Sequence, residues 1–334
     1  MKLIIQIPCL NEAETLAIAL ADLPKAIPGV DEIETLIIDD GCTDDTVAVA
    51  LRHGVQHVVG FRHNQGLAKA FMLGIEACLE RGADIIVNTD ADNQYNAGDI
   101  EKLVRPILEA RADLVIGARP IADIQHFSVL KKALQKIGSW VVRRVSNTDV
   151  ADAPSGFRAM SKEVAMVLNV FSDYTYTLET IIQAGQRNLR ISSVPIRVNG
   201  ELRPSRLVRS IVSYVRRSIF TMLRIFVVYR PLRFFMTVST LPLTLGLALG
   251  IRFIVYFLQE QGGGHVQSLI LAAVLLLVAF QTMLLAVLAD LLSVNRRLLE
   301  DLQVRERERT TAEVAAYARR GRTSSRPIDR TASA

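Results

Sequence analysis

The stretch ADIIVNTDADNQY (residues 83–95) runs from an apolar segment into two aspartates, Asp90 and Asp92, with one alanine between them. The short apolar run is typical of a buried strand. Ending a buried strand on two carboxylates is unfavourable, because the charges lose hydration and repel each other. A Mg²⁺ or Mn²⁺ ion held between them and a diphosphate would offset this cost, since these ions prefer oxygen ligands. A purely structural acidic turn is the alternative that this stretch leaves open.

The residues around this stretch predict the fold. Short apolar runs predict strands at residues 2–8, 34–39, 56–61, 85–89 and 114–117. Helical patterns between them cover residues 11–23, 43–52 and 67–81. This alternation predicts an α/β fold, a Rossmann-like, mostly parallel sheet with helices on both faces. Ligands of such sheets bind at the carboxyl ends of the strands, and polar residues collect there repeatedly in this sequence.

The C-terminal part of the chain has the composition of a membrane segment. Residues 234–251 and 266–289 form uncharged stretches of 18 and 24 residues, and each is long enough to cross a bilayer. Residues 202–259 contain no Asp or Glu. The excess positive charge, +5 for the whole chain, lies beside these apolar segments. We therefore expect an anionic membrane surface as a partner and no nucleic acid.

The distribution of arginines predicts the topology. Arg224, Arg230 and Arg233 precede the first apolar stretch, which continues beyond Arg252 to Leu258, and Arg296 and Arg297 follow the second. The short connection QEQGGGH (residues 259–265) has no Lys or Arg. The positive-inside rule then places the soluble domain and both termini in the cytoplasm, on a multi-pass protein of the inner (plasma) membrane. Residues 205–226 put arginines on one helical face and apolar residues on the other, which favours a helix in the headgroup layer. The alternative is a helix packed on the soluble domain.

Four segments follow from these patterns. They are an α/β domain at residues 1–202, a basic amphipathic region at 203–231, a region with two transmembrane helices at 232–292 and a charged tail at 293–334. The two transmembrane helices are expected at residues 232–258 and 266–290, and the end of the tail is expected to be disordered. The sequence leaves open whether the chain forms a homo-oligomer.

Six motifs at the predicted strand ends resemble family 2 glycosyltransferases of the GT-A fold. They are IPCLNEAETL, IIDDGCTDDT, HNQGLAKAFMLGI, NTDADNQY, GAR and DAPSGFRAMS, which lie in the family's order between residues 7 and 161. With two spans after the domain, the chain resembles the polyprenyl-phosphate glycosyltransferases, relatives of dolichyl-phosphate mannose synthase. The resemblance implies inverting transfer of one sugar from a nucleotide sugar, UDP-hexose or GDP-mannose, to a polyprenyl phosphate at the cytoplasmic membrane face, with Mg²⁺ or Mn²⁺.

The resemblance also implies roles for individual residues. The nucleoside pocket would be lined by Pro8, Leu10, Glu12, Ile38 and Asp40. The metal ligands would be Asp90, Asp92 and Gln94, and the small Ala91 would let the nucleotide approach closely. Arg119 would lie against the donor diphosphate, and Arg203 would approach phosphate from the C-terminal side.

The chemistry of the reaction agrees with these residue types. Breaking the anomeric bond passes through an oxocarbenium-like state while a nucleoside diphosphate leaves. Asp92, through a metal, and Arg119 are expected to stabilise the negative charge that develops on the leaving group. A lipid phosphate, whose last pKa is about 6, is already a nucleophile at neutral pH.

Asp152 is the remaining catalytic candidate. It could orient the acceptor phosphate through Arg158 or the metal, or act as a base; a structural pair with Arg158 is the alternative. Two other functions stay open. One is a glycolipid synthase whose hydroxyl acceptor needs a base, and the other is a catalytically silent nucleotide-binding membrane scaffold.

Overall fold

A computed structural model of the chain describes residues 1–120, 140, 143, 148–170, 176–200, 220, 223–224, 227–259 and 266–324, without the side chains of residues 311–324. The chain forms two compact units, one of residues 1–211 with 300–334 and one of residues 212–299. Arg203 and most of the predicted amphipathic helix at residues 205–226 lie outside the described residues.

The first unit is built on one seven-stranded sheet. Its strands are β1 (Lys2–Cys9), β2 (Glu32–Asp39), β3 (His57–Gly60), β4 (Ile85–Asn88), β5 (Leu114–Ala118), β6 (Arg158–Ser161) and β7 (Ile191–Pro195). Their order across the sheet is β3-β2-β1-β4-β6-β5-β7. Every pairing is parallel except those of β6, which runs antiparallel to both β4 and β5. The structure therefore confirms the predicted α/β fold with a mostly parallel sheet.

Helices cover both faces of this sheet. They are α1 (Ala13–Ala21), α2 (Thr46–Arg52), α3 (Leu67–Glu80), α4 (Ile100–Leu108), α5 (Lys162–Val167) and α6 (Thr177–Gln186). Alternate residues of β1 join one core with Leu16 of α1 and Leu103 of α4. On the opposite face α3 approaches the sheet closely, because a Cβ at Gly74 would lie 2.8 Å from the Ile38 side chain. Burial on both faces explains the nearly continuous apolar sequence of β1.

The sequence did not predict β6. The segment SGFR is equally compatible with only a turn leading into a helix, with Ser155 and Ser161 as caps. Ser161 does cap α5, since its Oγ accepts the N–H of Val164 at 3.4 Å. The strand itself has only four residues and begins with a buried arginine, Arg158, so it lacks the apolar run that identifies a strand.

The second unit contains long apolar helices. Helix α7 (Pro231–Leu258) and the first part of α8 (Val266–Ser324) are both long and apolar enough to cross a membrane. Small buried residues recur every seven positions along α8: Ala272, Ala279 and Ala286. On α7, Gly246 has no room for a side chain, because a Cβ there would lie 3.0 Å from Leu276. Small residues at such spacing allow two membrane helices to pack closely.

Helix α8 extends well beyond the predicted span into the charged tail. In the first unit, Asp301 accepts a hydrogen bond from Arg187 at 2.8 Å. Arg307 donates to the carbonyl oxygens of Met166, at 3.3 Å, and Leu168. These carbonyls belong to the C-terminal end of α5, where a cation is favourable. The beginning of the tail therefore packs on the α/β domain.

Candidate active site

The carboxyl ends of β1, β2, β4 and β5 meet at one edge of the sheet. Because β6 is antiparallel, its amino end reaches the same edge, and Asn88 of β4 pairs with Arg158 of β6. The segment that precedes β6, including Asp152 and Gly156, therefore lies beside the residues that follow β4 and β5. The topology brings Asp90, Arg119 and Asp152 together although they are distant in the sequence.

Asp90 is a partly buried carboxylate at the end of β4. Burial, followed by the negative charge of Asp92, raises its pKa to about 7. Arg119 and Arg158 are close enough to oppose this shift in pKa. Among the described residues, none donates a hydrogen bond to the Asp90 carboxylate. A carboxylate with little solvent and no hydrogen-bond donor favours the binding of a cation.

The residues that follow Asp90 form a loop held by hydrogen bonds within the loop and to Asn199. Asp92 is partly buried, and its Oδ1 accepts the N–H of Gln94 at 3.1 Å. The carbonyl oxygen of Gln94 accepts the N–H of Asn199 at 2.8 Å. Ala91 is buried between the two aspartates. All three predicted metal ligands therefore lie on one short, anchored loop.

Arg119 and Asp152 form a bidentate ion pair. Arg119 Nε lies 2.7 Å from Asp152 Oδ2, and its Nη2 lies 3.0 Å from Oδ1. Asp152 is 1% exposed. The structural alternative that pairs Asp152 with Arg158 is therefore wrong. Asp152 instead orients Arg119, whose charge lies close to Asp90.

Arg158 is fully buried behind this edge. It donates hydrogen bonds to the carbonyl oxygens of Thr177, at 3.1 Å, and Ser155, and to Thr180 Oγ1. Its guanidinium lies 5.3 Å from the ring centroid of Tyr176. Burial lowers its pKa, and Tyr176 is the largest opposing influence. Arg158 therefore belongs to the supporting structure and has no access to an acceptor from solvent.

The residues predicted to line the nucleoside pocket lie at the ends of β1 and β2. Pro8 and Ile38 face each other across the two strands. Leu10 is 37% exposed, and the Glu12 carboxylate accepts a hydrogen bond from Thr15 at 3.1 Å. Asp40 is buried, and Oδ1 accepts the N–H of Gln65 at 2.7 Å while Oδ2 accepts that of Gly66 at 3.0 Å. The Asp40 carboxylate thus fixes the loop before α3.

The carboxylates at the end of β4 fit a divalent cation. Within the described part of the chain there is no cluster of three or more His, Cys, Asp or Glu side chains that could hold a metal by itself. Mg²⁺ and Mn²⁺ are commonly bound by one or two carboxylates together with substrate phosphates and water. Asp90 and Asp92, with Gln94 beside them, are a donor set of this kind.

Sequence reasoning missed the residues that support Asp90. Gly156 lies against its carboxylate, and Asn88 and Tyr176 hold the Gly156 carbonyl oxygen. The glycine in SGFR and the asparagine at the end of a buried strand were the only signals available. Neither signal indicates its partner, because the partner comes from a distant part of the chain.

Comparisons with known proteins identify the family of the chain. Residues 4–168 match the family model described as "Glycosyl transferase family 2". An uncharacterized glycosyltransferase of Mycobacterium tuberculosis is 33% identical over 212 residues, which are 60% of this chain and 90% of the relative. The undecaprenyl-phosphate mannosyltransferase of Micrococcus luteus is 28% identical over 223 residues, which are 64% of this chain and 90% of that protein.

A solved structure shares the fold. The glucosyl-3-phosphoglycerate synthase of Mycobacterium tuberculosis, in complex with Mn²⁺, UDP and glucosyl-3-phosphoglycerate, superimposes with a TM-score of 0.53 and 19% identity. The match covers 68% of this chain and 78% of that one. The motifs, the GT-A-like sheet, the family model and the relatives agree, and the chain belongs to glycosyl transferase family 2.

Proposed function

We propose that the protein transfers one hexose, with inversion, from a UDP or GDP sugar to a polyprenyl phosphate at the cytoplasmic face of the membrane. The observation that carries the proposal is the arrangement at the end of β4. Asp90 is partly buried there without a hydrogen-bond donor among the described residues, and the oriented Arg119 lies near it. This combination suits a metal-bound diphosphate, which brings negative charge to the arginine and a cation to the carboxylates.

Relatives support the acceptor and the cofactor. The name of the Micrococcus luteus relative specifies an undecaprenyl phosphate acceptor. The structural neighbour was solved with Mn²⁺ and UDP. Because Asp90 and Asp92 offer the oxygen ligands that these ions prefer, we assign them, with Gln94, to Mg²⁺ or Mn²⁺. When bound, the ion would neutralise part of the charge on the leaving diphosphate.

The chain's own residues would act mainly by positioning and electrostatics. Asp152 holds the Arg119 guanidinium in place, and Arg119 would stabilise the charge that grows on the leaving nucleoside diphosphate. Pro8, Ile38 and the exposed Leu10 would contact the nucleoside, and Glu12 would accept hydrogen bonds from it. The acceptor phosphate is ionised near neutral pH, so it needs no strong base.

The state of Asp152 weighs against transfer to a lipid hydroxyl. That reaction needs a general base to remove the hydroxyl proton. Asp152 was the candidate, but both of its oxygens accept hydrogen bonds from Arg119. Both carboxylate oxygens are therefore engaged in orienting the guanidinium, and neither is free to take a proton from an acceptor hydroxyl.

The membrane topology is also part of the proposal. Helices α7 and α8 supply the two spans, and the arginines at their cytoplasmic ends would keep residues 1–202 and both termini inside. The region 203–231, including Arg203, would lie at the anionic surface, and residues 293–334 would form the tail. A reporter fused at residue 262 is expected outside and one at residue 334 inside; the reverse pattern would overturn this orientation.

Sugar transfer by the purified full-length protein tests the proposed reaction. Undecaprenyl phosphate is supplied with labelled UDP-glucose, UDP-galactose, UDP-GlcNAc or GDP-mannose, in Mn²⁺, Mg²⁺ or EDTA. A labelled lipid product with one donor, lost in EDTA, is expected. Asp92→Ala should abolish this product without unfolding the protein, whereas Asp45→Asn, at an exposed carboxylate, should leave it unchanged.

Two results would contradict the proposal. Full activity of Asp92→Ala would remove the metal assignment. Metal-dependent nucleotide binding without transfer from any donor to a lipid phosphate would favour another acceptor or the silent scaffold.

A further inference from the structure

Gly156 lies beside Asp90, just beyond the paired ends of two strands. Strands β4 and β6 pair as far as Asn88 and Arg158, and Asp90 and Gly156 each lie two residues outside that pair. A Cβ at Gly156 would lie 3.3 and 3.4 Å from the two carboxylate oxygens of Asp90. It would also lie 3.0 Å from the Tyr176 hydroxyl. A side chain at this position would therefore crowd both the carboxylate and the hydroxyl, and one of them would have to move.

Side chains from other elements hold both polar groups of Gly156. Its N–H donates to the Tyr95 hydroxyl at 3.1 Å. Its carbonyl oxygen accepts Nδ2 of Asn88 at 3.0 Å and the hydroxyl of Tyr176 at 3.5 Å. Asn88 Nδ2 also donates to the Tyr176 hydroxyl at 2.8 Å, and Gln6 holds its Oδ1 at 2.9 Å. Asn88 of β4, Tyr95 of the loop after Asp92 and Tyr176 at the N-terminus of α6 therefore hold the peptide that faces Asp90.

The Tyr176 ring is fixed as firmly as its hydroxyl. It is 1% exposed and stacks on Phe71 of α3 with ring centroids 3.9 Å apart and an interplanar angle of 5°. The Arg158 guanidinium lies over the same ring. A buried tyrosine held in this way places its hydroxyl with little freedom, and buried polar networks of this kind specify one arrangement.

We propose that Tyr176 and Gly156 are positioning residues for Asp90. Tyr176 holds the Gly156 peptide against the carboxylate, and Gly156 leaves the space in which the carboxylate keeps one orientation toward the edge of the sheet. This proposal rests on the proposed function, in which Asp90 is a metal ligand. Neither residue would touch the substrate, and both would act through Asp90.

Three variants of the full-length protein test this proposal. Tyr176→Phe removes one hydroxyl and keeps the stacked ring. Gly156→Ala keeps the network but places a methyl group against Asp90. Ser161→Ala, the control, removes another buried hydroxyl, which caps α5 away from Gly156. For each variant we would measure the melting temperature, the Mn²⁺ concentration that gives half-maximal UDP binding, and the Mn²⁺ dependence of sugar transfer.

The Mn²⁺ requirement should rise about 10-fold in Tyr176→Phe and about 100-fold in Gly156→Ala, and stay unchanged in Ser161→Ala. A wild-type protein that needs Mn²⁺, together with variants that need no more of it, would overturn the positioning role alone. If Tyr176→Phe does not fold, an unchanged Mn²⁺ requirement in Gly156→Ala has the same meaning. A wild-type protein indifferent to Mn²⁺ would overturn the metal assignment and the positioning role with it.

Discussion

Two aspartate pairs lie at the carboxyl ends of two strands of the same sheet, and they differ in the hydrogen bonds that they accept. At the end of β2, Asp39 Oδ1 accepts the N–H of Cys42 at 2.7 Å, and the Asp40 carboxylate accepts two further backbone N–H groups. After β4, Asp92 accepts one backbone N–H, and Asp90 accepts none among the described residues. Backbone N–H groups therefore satisfy the carboxylates of the first pair, whereas Asp90 in the second pair has no donor among the described residues.

The difference shows how a structural carboxylate is distinguished from a binding one. In a buried carboxylate, backbone hydrogen bonds stabilise the ionised form, so it contributes to the folded state by itself. A buried carboxylate without donors favours protonation, and the pKa of Asp90 is raised to about 7 mainly by burial. Such a group lowers stability until a cation arrives, which is typical of functional sites.

Replacement of Asp90 tests this comparison most strongly. Asp90→Asn keeps the size of the side chain but removes the charge that a cation needs. We expect kcat/KM to fall by about 1000-fold, because an electrostatic contact present in the transition state is lost. The metal-free variant should melt at a higher temperature than the wild type at pH 8, since no charge remains buried there. A variant that is less stable than the wild type and fully active would mean that Asp90 has a structural role, like Asp40, and binds no metal.

The pH dependence of the metal-free protein is the second test. The folded pKa of Asp90 is about 7, above the value of about 3.9 in the unfolded chain. The folded state therefore binds more protons between these values, and the contribution of Asp90 to the free energy of unfolding should fall as pH rises from 4 to 7. Mn²⁺ binding needs the ionised form, so it should weaken about tenfold per pH unit below 7. The same titrations on Asp90→Asn isolate this contribution.

Asp40 should show the opposite behaviour. Asp40→Ala leaves the backbone N–H groups of Gln65 and Gly66 without their acceptor. The free energy of unfolding should fall by about 1–3 kcal/mol, measured by urea unfolding of the metal-free protein. Asp40 is also predicted to contact the nucleoside, so UDP affinity is measured at a temperature where the variant is folded. Unchanged stability with lost UDP binding would make Asp40 a ligand contact rather than a structural carboxylate.

The sequence was sufficient for the outline of the site but not for this difference. Apolar runs and helical patterns predicted five parallel strands, and Asp90, Asp92 and Arg119 were placed at the correct edge because parallel strands end together. The segments Asp39–Asp40 and Asp90–Asp92 cannot be distinguished by composition, since donors such as the Gly66 N–H come from other parts of the chain. The pair Arg119–Asp152 joins residues 33 positions apart across an antiparallel strand that has no sequence signal. Sequence patterns therefore do not predict contacts between distant segments when one of the segments is a strand without an apolar run.

A third aspartate pair, Asp44 and Asp45, is exposed, and only Asp44 accepts hydrogen bonds from backbone N–H groups of other described residues. Substitutions in this pair should give the smallest effects. Partial burial raises the pKa of Asp44, but hydrogen bonds from the Thr46 hydroxyl and from the N–H groups of Ala13, at 3.2 Å, and Thr46, at 3.0 Å, lower it overall. Its stabilising contribution should be present at pH 7 and lost as the pH falls below about 3.9. Asp44→Asn should therefore cost up to about 1 kcal/mol at pH 7 and almost nothing at pH 3, whereas Asp45→Asn should change stability by less than about 0.5 kcal/mol at either pH. Equal costs for the two variants would mean that backbone donors do not distinguish these carboxylates, and the contrast between Asp40 and Asp90 would then need another cause.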